Sequence, residues 1–339
     1  MKKIVYIGNN LAKKTNYFSA MEMLALGLKK NNFQIILSSD KENKILRILE
    51  MCFVVYKNRK TSHVILIDTF STINFYYALI ISQLCRLLGL KYIPILHGGN
   101  LPYRLKKNSF LSKLLFNNSY INVSPSNYLK SEFESHGFKI KYIPNAISID
   151  NYNFRLRKLY RPKLLWVRAF DKTYNPIMAI EVVKDLTHEF KNIDLCMVGP
   201  FKDTTIDDVK RLIEDYNLQD NIKITGVLPK EKWHQLSIDY DIFINTTTID
   251  NMPVSVIEAM ALGLPVISTN VGGIPYLINN KVDGLLVENN NVKEMTNQIR
   301  NLMNNPEKGQ KITLNARKKV ENYDTISTMK EWIKLLNSI

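Results

Sequence analysis

Two carboxylates, Asp250 and Glu258, stand eight positions apart around a segment whose residues dictate a helix start. Pro253 suits the first turn, where its missing N–H leaves no bond unmade. Val254, Ile257, Met260 and Ala261 follow at helical spacing as one apolar stripe. Gly263 stops the helix, and Leu264 to Ser268 read as a short buried strand. Asp250 therefore falls in the loop before the helix, and Glu258 about one and a half turns inside it. Between them lies a helix amino end, whose unpaired N–H groups and positive dipole suit a phosphate. An acid on each side of an anion seat supplies acceptors for hydroxyl groups flanking a diphosphate. A nucleotide sugar has that pattern, with ribose at one end and a hexose at the other.

Cations at a strand end extend this chemistry. Arg168 closes a predicted strand and Lys172 follows in the next loop. Toward a diphosphate, Arg offers bidentate donors and Lys a point charge. His97, Gly98 and Gly99 end another strand, where glycines let a ligand approach the backbone. A histidine in such a turn serves equally well as a satisfied structural residue. Asp239 and Asp241 have the spacing of a metal-binding pair, yet they lead into the strand Ile242–Asn245 and read as structural. No Cys/His spacing suggests zinc.

The run from Asp250 to Pro275 resembles the acidic-pair motif of the family-4 retaining glycosyltransferases of the GT-B fold, the glycosyl transferases group 1. There, Glu, then Gly-Phe-Pro or similar, then a second Glu eight positions on, precede Ala-Met-Ala-x-Gly-x-Pro-Val-Ile. Here Asp250 is the first acid, Asn251 and Met252 stand for the Gly-Phe pair, and Glu258 is the second acid. The match continues from Thr269 to Pro275, after which Tyr276 replaces the family's Glu. The stretch Trp166 to Pro176 is similar to the family's Gly-Arg-x-x-x-x-Lys-Gly loop. Val167 replaces the Gly, and the Arg-to-Lys spacing is one residue shorter.

The resemblance implies roles. Asp250 would hold sugar hydroxyls and Glu258 the ribose. Arg168, Lys172 and the N–H groups near Val254 and Ser255 would take the diphosphate. His97 resembles the family's first-domain His near the transferred sugar. His97, Arg168, Lys172 and Asp250 are therefore the expected catalytic group. Asn145 lies in a segment, Pro144 to Ile147, similar to the family's Pro-Asn-Gly-Val hinge, with Ala146 replacing Gly; it is expected on the donor. Gly226 and Val227 are expected at the base pocket. Gly8, Asn9, His97, Gly98 and Gly99 are expected on the acceptor side. The resemblance implies no metal and no cofactor, only a UDP- or GDP-linked sugar as substrate. The leaving phosphate would itself accept the acceptor's proton in a front-face displacement.

These groups need a scaffold with many strand ends. Short apolar strands at Lys3–Gly8, Phe33–Ser38, His63–Asp68, Tyr92–Leu96, Tyr120–Val123 and Ile140–Pro144 alternate with helical patterns. The series restarts at Lys163–Arg168 and continues through Ile193–Gly199, Asn221–Thr225, Asp241–Asn245, Leu264–Ser268 and Gly284–Val287. Such alternation predicts parallel sheets with crossover helices. The expected fold is α/β, of the GT-B type: two doubly wound Rossmann-like domains facing a central cleft. Residues 1–155 form the acceptor-side domain and 156–324 the nucleotide-sugar domain. The polar, basic stretch 151–161 is the expected linker. The final helix, about 325–339, is expected to pack back on the first domain, as in the resembled family.

A chain of 339 residues with 45% hydrophobic and 23% charged residues fits two globular domains. The first residues read as a strand, not a signal peptide. Ile73 to Leu90 is the most apolar long stretch. Asn74, Gln83 and Arg86 interrupt it, so it is too short to span a bilayer and reads as a helix buried between sheet and neighbours. Cys52, Cys85 and Cys196 lie in apolar runs and read as reduced core residues of a cytosolic protein.

The net charge of +15 is uneven: residues 1–150 hold 21 Lys/Arg against 8 Asp/Glu, the rest 25 against 23. A basic half points to an anionic partner. Leu105 to Phe116 mixes basic and apolar residues without an acid. Either it rests on an anionic membrane, through Lys106, Lys107, Phe110 and Lys113, or its apolar face packs on its own sheet. The expected function is transfer of a sugar to a glycan or lipid-linked glycan in cell-surface polysaccharide synthesis. The expected place is the cytoplasm or, peripherally, the inner face of the cell membrane. A nucleotide-sugar epimerase of similar architecture is the alternative. A nucleic-acid-binding protein ranks lower, because the basic residues lack interleaved aromatics on strands.

Overall fold

A computed structural model describes residues 1–8 and 20–339 of the chain. The chain divides into two units, Met1–Ile147 with Tyr323–Ile339, and Ser148–Asn322. The first contains β1 (Lys3–Ile7), α1 (Ala20–Lys30), β2 (Gln34–Ser38), α2 (Lys44–Asn58), β3 (Ser62–Thr69), α3 (Asn74–Leu87) and β4 (Tyr92–Leu96). It continues with α4 (Leu101–Lys107), α5 (Ser109–Phe116), β5 (Asn122–Ser124), α6 (Asn127–Ser135) and β6 (Ile140–Tyr142). The second contains β7 (Lys163–Val167), α7 (Pro176–Leu186), β8 (Asp194–Val198), α8 (Thr205–Asp215), β9 (Ile222–Gly226), α9 (Lys230–Leu236) and β10 (Ile242–Asn245). After it come α10 (Val254–Ala261), β11 (Val266–Thr269), α11 (Ile274–Leu277), β12 (Leu285–Val287), α12 (Val292–Asn304) and α13 (Pro306–Val320). The last helix, α14 (Thr325–Asn337), belongs to the first unit.

Each sheet has six parallel strands, ordered β2-β1-β3-β4-β5-β6 and β12-β11-β10-β7-β8-β9. Parallel strands covered on both faces read as continuous apolar runs, as in Val64 to Ile67 of β3, all buried. On one face of the first sheet, Met51, Phe75, Phe116 and Phe133 bring in α2, α3, α5 and α6. On the other, Met21 and Leu28 of α1 pack with Met329 and Trp332 of α14. The second sheet is filled by Trp166, Phe170, Ile180, Val183 and Ile299 among others.

Several expectations need correction. The stretch 151–161, expected as the linker, lies within the second unit. Arg157 is 3% exposed and donates to the carbonyls of Tyr240, Gly263 and Ser237 at 2.7–2.8 Å. Asp241 pairs with both Arg157 and Arg161. A guanidinium with that many acceptors can be buried. The apolar stretch 73–90 is buried on one side only: Phe75, Ala78 and Ile81 face the core, while Ile73, Tyr76, Ile80 and Leu87 are exposed. Leu105–Phe116 forms parts of two helices, and Leu105, Leu115 and Phe116 sit in the core with Leu111 against them. Only Phe110 of its expected apolar face is exposed. Pro253 caps α10 from outside instead of opening its first turn. Asn9 lies outside the described residues.

Candidate active site

In the second sheet β8 and β9 lie on one side of β7, and β10, β11 and β12 on the other. Open α/β sheets bind ligands beyond the carboxyl ends of their strands at such a reversal. Arg168 follows β7 there, and Asn245 ends β10. Arg168 Nε donates to Asn245 Oδ1 at 3.1 Å, and the same guanidinium is ion-paired with Asp250. It also lies 4.8 Å from the Tyr174 ring. Asn245 is fully buried and in turn donates to Ser268 Oγ at 2.9 Å. Asn245 was missed in the sequence; its only signal is a buried amide at the end of an apolar strand.

The loop that carries Asp250 is tied down on two sides. Thr246 Oγ donates to the Tyr174 carbonyl at 2.9 Å, and Thr247 and Thr248 donate to that of Thr173 at 3.1 and 3.0 Å. On the other side the Gly273 N–H donates to the Asp250 carbonyl at 2.9 Å. A Cβ on Gly273 would lie 1.8 Å from the Asn251 carbonyl oxygen, so only glycine lets these loops touch. Four residues past Asp250, α10 begins with no side-chain cap, leaving the positive end of its dipole open. Val254 and Ser255 form that end. Ser255 Oγ is buried with no hydrogen-bond partner among the described residues.

Glu258 is 2% exposed on α10. Its Oε1 accepts from Tyr152 Oη at 2.9 Å and from Lys230 Nζ at 2.6 Å. The Tyr152 ring packs, tilted, 4.7 Å from that of His234, whose imidazole is lowered to about 4 by burial, with a smaller push from Lys230. Lys230 and Tyr152 are the chief partners that sequence reasoning missed. Neither lies near Glu258 in the chain, and no local spacing announces them. Lys172 is exposed on a short turn whose N–H groups are held by Asp171 and Asp203. Gly226 ends the edge strand β9 with a left-handed φ of 68°, and Val227 is exposed beyond it.

The first sheet reverses between β1 and β3. At that point Tyr6 Oη donates to Asp68 Oδ1 at 2.8 Å, and His97 Nε2 meets the same oxygen at 2.8 Å. Phe70 stacks on the His97 ring at 5.1 Å. Burial and the neighbouring Asp68 raise the Tyr6 phenol well above its ordinary value, so it stays protonated as a donor. A carboxylate oxygen that accepts from both calls for a proton on Nε2 and holds the His97 ring in one orientation. Gly8 fits here because a Cβ would meet Asp68 Oδ2 at 2.6 Å. A small pocket beside them is lined by Ile67, Phe70, Asn74 and Tyr77. Gly98 backs onto Ser71, and Gly99 follows it into the turn before α4. Asp68 and Tyr6 were not foreseen. Asn145 is half-buried in the first unit, beyond β6. Lys106, Lys107, Phe110 and Lys113 are exposed on α4 and α5.

Comparison with known proteins places this geometry. The family described as glycosyl transferases group 1 matches residues 149–319. The chain is similar to an uncharacterized glycosyltransferase of Haemophilus influenzae, 27% identical over 57% of this chain and 55% of that protein. It is also similar to the amylovoran biosynthesis glycosyltransferase AmsK of Erwinia amylovora, 29% identical over 54% of this chain and 46% of that one. The chain thus spans about half the length of these curated relatives. Sucrose-phosphate synthase of Thermosynechococcus elongatus shares the fold, with a TM-score of 0.83 at 13% identity over 100% of this chain and 99% of that one.

Proposed function

The chain belongs to the glycosyl transferases group 1 family and has the GT-B fold; from that premise we propose that it transfers a sugar from a nucleoside-diphosphate donor to an acceptor hydroxyl with retention at the anomeric carbon. The observation that carries this reading is the Arg168–Asp250 pair at the reversal of the second sheet, ahead of the open amino end of α10. A donor diphosphate would displace Asp250 as the partner of Arg168. Asp250, released, would then accept from the sugar's hydroxyls. The diphosphate also gains the α10 N–H groups near Val254 and Ser255, and Lys172. Glu258, fixed by Lys230 and Tyr152, would accept from the ribose. Gly226 and Val227 border the base in this reading, and Asn145 serves the donor.

The reaction breaks the bond between the anomeric carbon and the phosphate oxygen, whose electron pair stays on the departing diphosphate. The acceptor oxygen forms its bond on the same face, and its proton passes to the leaving phosphate. Arg168 and the helix end stabilise the charge that develops there, in a site that needs no metal ion. His97, Gly8, Gly98 and Gly99 face the acceptor in this scheme. A glycan or lipid-linked glycan of cell-surface polysaccharide synthesis is the proposed acceptor, reached from the cytoplasmic side of the membrane.

A thermal-shift panel of UDP, GDP and their sugars tests the donor. A true donor at a hundred times its dissociation constant adds about 2.7 kcal/mol of stability. The expected result is a shift with one nucleotide diphosphate and its sugar, unchanged by chelator. A shift with none of them sinks the reading. Hydrolysis or epimerisation of the sugar without any transfer would favour the epimerase instead.

A further inference from the structure

Helix α2 is apolar on two opposite sides. Met51 and Val55 face the core. Ile45, Leu46, Leu49, Phe53 and Tyr56 recur on the other side, each 51–70% exposed. At helical spacing these five fall within one arc of about 100°. A helix that is hydrophobic all round is ordinarily covered. Its neighbour α3 repeats the arrangement: Phe75, Ala78 and Ile81 point inward, while Ile73, Tyr76, Ile80 and Leu87 are 43–85% exposed. Tyr103 and Phe110 add to this layer from α4 and α5. Exposed apolar surface concentrated on adjacent helices marks an interaction site.

Charge identifies the occupant. Between Glu50 and Glu132 the chain holds one carboxylate, Asp68, and it is buried against Tyr6 and His97. Glu50 itself accepts from Ser39. Over the same stretch Lys57 sits in the last turn of α2 with Arg59 and Lys60 just after it, Arg86 sits in the last turn of α3, and Lys106 and Lys113 lie on α4 and α5. At the rim, Arg59 lies 3.9 Å from the Tyr56 ring and Lys57 6.0 Å from that of Phe53. The exposed acids Asp40 and Glu42 stand only before the amino end of α2, where Lys41 and Lys44 accompany them. An apolar face edged by cations and aromatic rings is the chemistry of a helix lying on anionic lipid.

We propose that the outer face of α2 and α3 rests on an anionic phospholipid bilayer, with Ile45, Leu49 and Phe53 entering the acyl boundary. The contact thereby shifts from Leu105–Phe116, most of whose apolar side chains are committed to the core, to α2 and α3. This rests on the membrane-proximal acceptor proposed above but not on the donor chemistry.

The test is co-sedimentation of the full chain with vesicles of equal parts phosphatidylglycerol and phosphatidylcholine, and with phosphatidylcholine alone. Binding to the anionic vesicles is expected at low salt, weaker at high salt and on the neutral vesicles. The triple variant Leu49→Ser, Phe53→Ser, Tyr56→Ser is expected to bind roughly tenfold or more weakly, and Lys57→Glu with Lys60→Glu to weaken binding at low salt only. Wild-type protein that ignores anionic vesicles, or a triple variant that binds them normally, overturns the proposal. So does a concentration-dependent dimer, abolished by the triple variant, in place of vesicle binding. The thermal response to nucleotide diphosphates, read on the same samples, shows whether each variant is folded. It also separates the two readings: lost vesicle binding with intact nucleotide response removes only the bilayer.

Discussion

The two units share a plan, a six-stranded parallel sheet with a bonded cluster of polar side chains at the reversal point, yet they populate it differently. The second unit holds 23 Lys/Arg against 22 Asp/Glu, and its cations are matched: Arg168 with Asp250, Lys230 with Glu258, Arg157 and Arg161 with Asp241. The first holds 23 against 9, and its one carboxylate between Glu50 and Glu132 is buried at the site. Where a cation is held by an internal carboxylate, as Arg168 is, an anionic ligand must displace that partner, which favours selectivity. An unbalanced unit attracts any anionic surface without such an exchange, which favours location.

The largest effects should break the exchange in the second unit. Arg168→Ala is expected to lower kcat/KM by roughly a hundredfold and to weaken nucleoside-diphosphate binding by about tenfold or more, leaving nucleoside binding nearly intact. Calorimetry with both ligands checks this; equal losses would make Arg168 structural. Asp250→Asn should separate the two functions. Transfer falls by a similar factor, while diphosphate binding holds or improves because its competitor for Arg168 has gone. A parallel loss of diphosphate binding would contradict the exchange.

Glu258 provides the next test. Glu258→Ala leaves Lys230 without its carboxylate and is expected to cost about 1–3 kcal/mol, read as a lower urea midpoint. Adding Lys230→Met should recover part of that loss. If the two losses simply add, the pair is not coupled.

A smaller effect is expected in the first unit. Asp68→Asn keeps the volume but weakens the acceptor that orients His97. Transfer should fall by about tenfold with nucleotide binding unchanged. Loss of nucleotide binding would show that the two sites are not separable in this way.

The smallest effect concerns pH. The folded chain keeps His234 neutral down to about 4, whereas an unfolded chain protonates it near 6.5. The unfolded state therefore takes up the proton first. The stability contributed by the neutral, buried ring is present above about 6.5 and is lost as pH falls toward 4. Replacing His234 with Phe should flatten the melting temperature between those values. An unchanged slope would assign the acid sensitivity to other groups.

The contrast also explains what the sequence could reveal. The placement of Asp250 before a helix, of Glu258 within it and of Gly263 at its end was legible because they lie within one short run, where helix chemistry fixes their relative positions. The strand series was legible because buried parallel strands are continuous apolar runs. Asp68 was not, since its partners Tyr6 and His97 come from two other strands. Lys230 and Tyr152 reach Glu258 only through the tertiary fold. The burial of Arg157 was not legible, because composition reports charge and not the carbonyls that satisfy it. The outer face of α2 was hidden differently: an apolar helix predicts burial and leaves the covering body unnamed.

The threonine clamp on the Asp250 loop has a thermodynamic consequence. Thr246, Thr247 and Thr248 bond to the backbone of Thr173 and Tyr174, and Thr269 Oγ bonds to the Thr247 carbonyl at 2.5 Å. Fixing a backbone residue costs roughly 1–2 kcal/mol of conformational entropy. In this loop that loss is incurred on folding, so an arriving ligand meets a surface already ordered. Opening any one of the three hydroxyl bonds would transfer part of the loss to the moment of binding. The association would then be weaker and more enthalpy-driven, with every ligand-contacting residue still in place.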